Sequence, residues 1–241
     1  MSKTSKTDQQ AAWFATPQAG QWQTQLLAVQ KRFEREYRRE TLELPAEVEA
    51  MPIFTEYKSG LLTGKTTSNF WELAQPQKKQ RCLDIGCGFS FLIYPWREWE
   101  AFFYGQEISS FVKENVDKRG PQLNSMLYKG VVLGPAHQLN YQASFFDLAI
   151  ATGFSCYYGL AYWQLVLDEV KRVLKPGGYF VFDVLNPTVE MAENWAILEM
   201  YLGTEVCLEP LAEWEKLMKE HGGKIEKHAA GELFHLYKVK F

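Results

Sequence analysis

The sequence is poor in cysteine and in long apolar runs, and each shortage excludes a class of protein. Only four of the 241 residues are cysteines, which argues against a disulfide framework. Cys82 and Cys87 lie without a neighbouring cluster of histidine and aspartate, so no metal site is expected. No run of eighteen apolar residues occurs, which predicts no membrane span. The polar first ten residues do not resemble a signal peptide, and a cytoplasmic location is the simplest prediction.

The sequence also lacks an excess of positive charge. Lysine and arginine together number 26 against 29 acidic residues, which gives a formal net charge of −3. A nucleic-acid partner would need a basic face that displaces counterions from phosphates, so neither DNA nor RNA is expected as a partner. The chain has 241 residues, of which 46% are hydrophobic. This is enough to build one α/β core with a helical extension.

The most informative segment is residues 82–90, CLDIGCGFS, which predicts a strand that ends in an acidic, glycine-bearing turn. Gly86 and Gly88 lack a Cβ where the backbone must bend and approach a ligand, and the helix start that follows offers free N–H groups. A second apolar stretch, residues 101–107, ends in Glu107, whose carboxylate could hold a ribose diol. Together Asp84 and Glu107 suggest a ligand that contains adenosine.

Two other nucleotide motifs fail on spacing. The dinucleotide fingerprint G-x-G-x-x-G needs a third glycine where this chain has Phe91, which argues against a nicotinamide oxidoreductase. Residues 60–66, GLLTGKT, look like a phosphate loop, but the required first glycine falls on Ser59. We therefore do not expect nucleoside triphosphate binding.

The D-x-G-x-G pattern at Asp84 resembles the first motif of the class I S-adenosylmethionine-dependent methyltransferases. The resemblance continues in the order and spacing of that family. Residues 134–139 (GPAHQL) look like its adenine loop, residues 144–150 (SFFDLAI) like the entry into its fourth strand, and residues 174–182 (LKPGGYFVF) like the turn before its fifth strand. The resemblance covers residues 80–187.

This resemblance implies an α/β fold, with a Rossmann-like, doubly wound, mostly parallel seven-stranded sheet and an N-terminal helical cover. Residues 1–75 are expected to form an N-terminal helical extension and lid, and residues 76–241 the S-adenosylmethionine-binding methyltransferase domain. The implied cofactor is S-adenosylmethionine. The implied reaction is in-line methyl transfer to a small-molecule acceptor.

The resemblance also implies which residues bind the cofactor and the acceptor. The expected cofactor-binding residues are Asp84, Gly86, Cys87, Gly88, Glu107, Ile108, Ala136, His137, Thr152, Gly153 and Phe154. Tyr157 and Tyr158 are candidate acceptor-binding residues, although both could instead only pack against the following helix. No general base is identified, and a sulfonium donor held in line with its acceptor does not require one.

Two positions depart from the family pattern. Ser90 stands where a third glycine is common, and Pro135 stands where an aspartate often contacts adenine. Adenine contacts are then expected from the Ala136 N–H and His137. The same departures support an alternative function, a non-catalytic regulatory or interaction module that binds S-adenosylmethionine without turnover.

The flanking segments predict a helical cover and a closing strand pair. Residues 21–40 carry an amphipathic stripe formed by Trp22, Leu26, Val29, Phe33 and Tyr37. The basic residues Lys31, Arg32, Arg35, Arg38 and Arg39 are interpreted as a solvated face, with a Glu34–Arg38 pair. Residues 60–66 are expected to form a mobile lid, with Tyr57, Lys65 and Thr66 as possible contacts. Helices near residues 189–201 and 211–220 and strands near 224–230 and 232–241 complete the prediction.

Overall fold

The computed structural model describes residues 20–40, 42–124 and 126–241, apart from the side chains of Trp96 and Arg97. Its strands are β1 (Arg81–Ile85), β2 (Phe102–Glu107), β3 (Tyr128–Leu133), β4 (Phe146–Ala151), β5 (Leu174–Leu185), β6 (Lys224–Ala230) and β7 (Phe234–Lys240). Its helices are α1 (Gln23–Arg38), α2 (Ala46–Glu49), α3 (Pro52–Ser59), α4 (Leu62–Thr66), α5 (Trp71–Ala74), α6 (Trp96–Trp99), α7 (Ser110–Asn124), α8 (Leu160–Val173), α9 (Met191–Leu202) and α10 (Leu211–Glu220).

The strands form one seven-stranded sheet in the order β3-β2-β1-β4-β5-β7-β6. β1 to β5 are parallel to one another, and β7 runs antiparallel to both β5 and β6. This arrangement confirms the predicted doubly wound, mostly parallel fold. Strand order reverses between β1 and β4, and such switch points open a crevice at the carboxyl ends of the strands.

The burial of each strand explains its sequence. β1 and β4, in the middle of the sheet, are covered on both faces and consist almost entirely of buried residues, as parallel strands require. β6, at the edge, carries three charged residues and is mostly exposed, which discourages further strand pairing. The pairing of β6 with β7 confirms the strand pair predicted at the end of the chain.

Helix boundaries follow the predicted patterns with small shifts. α8 begins at Leu160, directly after Gly159, which has an extended conformation. α1 ends where Arg39 adopts a left-handed conformation with φ of 56°. The two helices predicted after the fifth strand are present as α9 and α10.

Two apolar clusters lie on the opposite faces of the sheet. One contains Leu83 and Ile85 of β1 and packs against α1, α8 and α9. The other contains Cys82 and Phe91 and packs against α5 and α7. Successive residues of β1 point to opposite faces, so the strand contributes to both clusters.

The interpretation of the basic residues of α1 as a solvated face was wrong for Arg32. This side chain is buried and forms a two-pronged ion pair with Glu199 of α9, with Nε–Oε2 and Nη2–Oε1 distances of 2.7 Å. Burial alone would lower the pKa of Arg32, but the Glu199 carboxylate raises it above its usual range. The expected Glu34–Arg38 pair is present at 3.9 Å. The cover is therefore anchored by a buried charge pair that the helical pattern did not reveal.

None of the helices described in the chain is long and apolar enough to cross a bilayer.

Candidate functional site

A cavity of about 550 Å³ opens at the switch point, where the carboxyl ends of β1, β2 and β4 meet the cover. We call its two sides the sheet wall and the cover wall. The sheet wall consists of Ile85, Gly86, Gly88, Phe89, Ser90, Ile93, Gln106, Glu107, Ile108, Ser109, Gly134, Ala136, Thr152, Gly153, Phe154, Tyr158 and Tyr162. The cover wall consists of Val29, Gln30, Phe33, Glu36 and Tyr37 of α1, together with Thr63 and Thr67.

The turn after β1 forms the cradle that the sequence predicts. Gly86 and Gly88 have φ angles of 68° and 51°, in the left-handed region that favours glycine. A Cβ on Gly86 would lie 2.9 Å from the Phe154 ring, and one on Gly88 would lie 2.6 Å from the Tyr37 hydroxyl. The main chain of this turn is therefore open to the cavity only because both residues lack a side chain.

Glu107 lies beside the cradle, at the end of β2. Its Oε2 accepts a hydrogen bond from the Gly88 N–H and its Oε1 one from the Ser109 N–H, each at 3.0 Å. Burial raises the pKa of Glu107, while these two N–H groups oppose the rise. The carboxylate is thus fixed in the sheet wall, where it can accept hydrogen bonds from the hydroxyl groups of a ligand.

Asp84 and Cys87, both predicted to bind the cofactor, do not line the cavity. Asp84 lies on the opposite face of β1, where it accepts a hydrogen bond of 2.7 Å from the Tyr94 hydroxyl. Burial raises the pKa of Asp84 to about 7, and it raises the pKa of the Cys87 thiol as well. Both side chains therefore support the turn from the far side of the sheet.

The loop after β3 lies against the cavity through Gly134 and Ala136. It is fixed by Gln106, whose Nε2 donates to the carbonyls of Pro135 at 2.6 Å and Gln138 at 2.9 Å. Gln106 was not among the residues predicted from the sequence. The sequence feature that could have identified Gln106 is a polar residue directly before the acidic end of a buried strand.

His137, expected at the adenine, points away from the cavity. Its Nδ1 lies 3.2 Å from the Tyr162 hydroxyl, and the two rings pack edge to face. Burial lowers the pKa of His137, with a weaker opposing effect from Glu169. The side chain holds Tyr162, which itself lines the cavity, so its effect on a ligand would be indirect.

The loop after β4 places Thr152, Gly153 and Phe154 in the sheet wall, as expected. The Gly153 N–H donates to both carboxylate oxygens of buried Asp183, at 2.9 and 3.1 Å. The Ser68 hydroxyl, on the cover side, donates to the same carboxylate. Burial raises the pKa of Asp183 to about 6, and these donors oppose the rise. Asp183 therefore joins a loop of the sheet wall to the segment after α4.

Of the two candidate acceptor tyrosines, only Tyr158 reaches the cavity. Its ring stacks on Tyr162 with centroids 4.2 Å apart. Tyr157 is buried in the core instead, where its ring packs edge to face on Phe33 at 5.5 Å. This placement agrees with the alternative that Tyr157 only packs against its neighbours, and it does not support a direct contact with the acceptor.

The three lid contacts suggested by the sequence lie elsewhere. Lys65 pairs with Glu56 at 2.8 Å, and the Thr66 hydroxyl donates to the Leu62 carbonyl at 3.2 Å. Tyr57 lines a separate cavity between α1 and α3. The residues that do reach the site from this segment are Thr63 and Thr67.

Comparison with known proteins identifies the domain. The family described as a methyltransferase domain matches residues 83–182. A probable phthiotriol/phenolphthiotriol dimycocerosates methyltransferase of Mycobacterium ulcerans is 40% identical over 68 residues, which are 28% of this chain and 25% of that protein. A sterol 4-C-methyltransferase of Caenorhabditis elegans is 29% identical over 109 residues, which are 44% of this chain and 31% of that protein. The chain thus spans less than a third of these curated relatives.

The fold is shared with solved structures of low sequence identity. A crystal structure of a SAM-dependent methyltransferase from Methanosarcina mazei superimposes with a TM-score of 0.58 at 16% identity, covering 72% of this chain and 97% of that one. The cavity fits the adenosyl cofactor of such proteins, since a side-chain-free turn and a fixed carboxylate share one wall. The family match identifies residues 83–182 as a methyltransferase domain, and the strand order and the cradle at Gly86 and Gly88 resemble those of the class I S-adenosylmethionine-dependent methyltransferases.

Proposed function

We propose that this protein transfers a methyl group from S-adenosylmethionine to a small molecule with an apolar or aromatic body. The observation that carries the proposal is the single cavity shared by the two walls, with the cradle and Glu107 on one side and apolar residues of α1 on the other. Cofactor and acceptor would meet there, shielded by the cover.

The residues of the sheet wall would bind and orient the donor. When bound, S-adenosylmethionine supplies an electrophilic methyl group on a sulfonium that is also a good leaving group. Glu107 would accept hydrogen bonds from ribose hydroxyls, while Gly86 and Gly88 let the main chain approach the ligand. Gln106 keeps the adenine loop in position from behind. Holding donor and acceptor in line can supply a large part of the acceleration, so no general base is assigned.

The cover wall and the loop after β4 would enclose the acceptor. Val29, Phe33, Phe154 and Tyr158 offer apolar surface, while Thr63 and Thr67 add hydroxyl groups at the rim. The names of the two relatives refer to sterols and to phthiotriol dimycocerosates as their acceptors, which supports an apolar acceptor here. The net charge of −3 supports a small molecule over a nucleic acid.

A cytoplasmic setting remains part of the proposal. All four cysteines carry free thiols, and three of them are buried. A reducing compartment keeps such thiols reduced.

The test is titration calorimetry with S-adenosylmethionine and S-adenosylhomocysteine, in wild-type protein and in two glycine variants. Gly88→Val should abolish binding, because its side chain would enter the cavity beside Tyr37. Gly130→Val is the matched control, since Gly130 also has a positive φ, of 98°, but lies in β3 with open space around it. The control should bind the cofactor like the wild type.

Turnover is tested by release of S-adenosylhomocysteine in the presence of sterols, long-chain alcohols and phenols. If Gly88→Val bound S-adenosylhomocysteine with wild-type affinity in the titration, the cradle would not be the cofactor site. Tight cofactor binding without turnover across these acceptor classes would favour the non-catalytic binding module.

A further inference from the structure

Tyr37 of α1 lies close to the cradle. Its hydroxyl lies 2.6 Å from the position that a Cβ on Gly88 would take. The ring lines the cavity, packs edge to face on Phe89 at 4.8 Å, and stacks on Phe33 with centroids 6.2 Å apart. The cover therefore reaches across the cavity and contacts the cofactor side of the site.

Packing explains the ring of Tyr37 but not its hydroxyl. Within residues 20–40, 42–124 and 126–241, this hydroxyl has no hydrogen-bonding partner. Tyr37 is partly buried and lines the cavity, so its hydroxyl is available to a bound ligand. Burial raises the pKa of Tyr37, and the nearby Glu107 and Glu36 carboxylates raise it further, so the phenol stays protonated and able to donate.

The chemistry of Tyr37 complements that of Glu107. A carboxylate only accepts hydrogen bonds, whereas a phenol can donate one. Each ribose hydroxyl has one proton to donate and lone pairs to accept with. A ribose held between the two side chains could donate to Glu107 and accept from Tyr37.

We infer that Tyr37 is a cofactor-binding residue, contributed by the N-terminal cover, whose hydroxyl donates a hydrogen bond to the ribose of the nucleoside held by Glu107. The inference rests on the proposed function and adds a residue from outside the matched segment at residues 83–182. In this arrangement the cover completes the cofactor site as well as enclosing the acceptor.

The test uses calorimetric titration of full-length protein with S-adenosylhomocysteine, adenosine and 2′,3′-dideoxyadenosine. Tyr37→Phe removes only the hydroxyl and keeps the ring that packs on Phe89. It should weaken the binding of S-adenosylhomocysteine and of adenosine about three- to tenfold, the range for a lost neutral hydrogen bond. Dideoxyadenosine lacks the 2′- and 3′-hydroxyls of the ribose, so wild type and Tyr37→Phe should bind it equally.

Two variants serve as controls. Tyr57→Phe removes a hydroxyl from the same cover at a separate cavity, and it should leave all three affinities unchanged. Glu107→Ala removes the proposed partner on the ribose, and it should weaken adenosine more than dideoxyadenosine.

Each contrary result has a distinct meaning. Equal adenosine affinities in wild type and Tyr37→Phe would overturn the assignment of Tyr37 and leave the proposed function intact. Equal weakening of adenosine and dideoxyadenosine would also overturn it, because the hydroxyl would then act through structure alone. If wild-type protein bound no S-adenosylhomocysteine, the proposed function would fail together with the inference.

Discussion

The two walls of the cavity are held in place by different kinds of interaction. The sheet wall follows from strand pairing. β1 is parallel to β2 and to β4, and its last residue, Ile85, pairs with Gln106 of β2 and with Ala151 of β4, so the three strands end at the same edge. The cover wall depends on side-chain contacts between segments far apart in sequence, such as Arg32 with Glu199 and Ser68 with Asp183. The first wall is set by regular backbone structure, and the second by apolar packing of residues such as Leu26 and Phe54 together with these polar contacts.

This difference indicates where the site can move. Helices and loops that are attached through side-chain contacts generally open at lower free energy than central strands do. An enclosed cavity needs one wall that opens for ligand entry. The cover wall is the one whose attachment could be loosened without disturbing the sheet, and the following predictions separate the two walls by experiment.

The largest expected effect is loss of the anchor between α1 and α9. Arg32→Met leaves the fully buried Glu199 carboxylate without its main partner, which should lower the free energy of unfolding by about 3–5 kcal/mol. Urea denaturation measures this change as a shift in midpoint, and an unchanged slope shows that only stability has changed.

Two controls define the result for Arg32. The double variant Arg32→Met with Glu199→Leu removes both charges and should recover most of the loss. Lys58→Met breaks an exposed pair with Glu49 in the same cover, and it should cost less than about 1 kcal/mol. If Arg32→Met itself lowered the free energy of unfolding by less than about 1 kcal/mol, the cover would not depend on the buried pair.

The next effect concerns the sheet wall and depends on pH. Because burial raises the pKa of Asp84 to about 7, the folded chain holds this proton more tightly than the unfolded chain, whose carboxyl titrates near ~4. The resulting stabilisation is complete below about pH 4 and is lost as the pH rises to about 7. We expect it to amount to roughly 2–4 kcal/mol.

The comparison of wild type with Asp84→Asn isolates this contribution. The amide stays neutral and its oxygen can still accept from Tyr94, so the stability of the variant relative to wild type should increase as the pH rises from 4 to 7. Parallel curves for wild type and Asp84→Asn would show that Asp84 is charged in the folded protein.

Parts of the sheet wall could be located from the sequence because their determinants are local. Gly86, Gly88 and Glu107 lie at strand ends that apolar runs and turn residues already mark. The amphipathic stripe likewise predicted α1, and its members Val29, Phe33 and Tyr37 do reach the cavity.

The remaining features depend on long-range contacts that no local pattern encodes. Arg32 pairs with a residue 167 positions away, so its burial could not be read from the charge pattern of α1. Asp84 and Tyr157 were assigned to the ligand, yet neither side chain lines the cavity. The Asp84 side chain points to the face of β1 away from the cavity, where it accepts from Tyr94. The Tyr157 ring packs in the core against Phe33 and so does not reach the cavity.

The smallest expected effect is at the tie between the two walls. Ser68→Ala removes the hydroxyl that donates to Asp183 and leaves the Gly153 N–H as its remaining donor from the cavity loops. Loss of one such hydrogen bond should cost about 0.5–1.5 kcal/mol. Because the sheet does not depend on this bond, the cost should appear as easier local opening of residues 52–70.

Limited proteolysis measures that opening directly. Cleavage within residues 52–70 should be faster in Ser68→Ala than in wild type, and S-adenosylhomocysteine should slow it in both proteins if the segment closes over the cavity. Ser59→Ala is the matched control, because the Ser59 hydroxyl donates to the Glu56 carbonyl within α3, away from the cavity. Its cleavage should follow the wild-type rate. Cleavage that is equally fast in all three proteins and indifferent to the ligand would show that residues 52–70 are not a lid, and the cover wall would then reduce to α1.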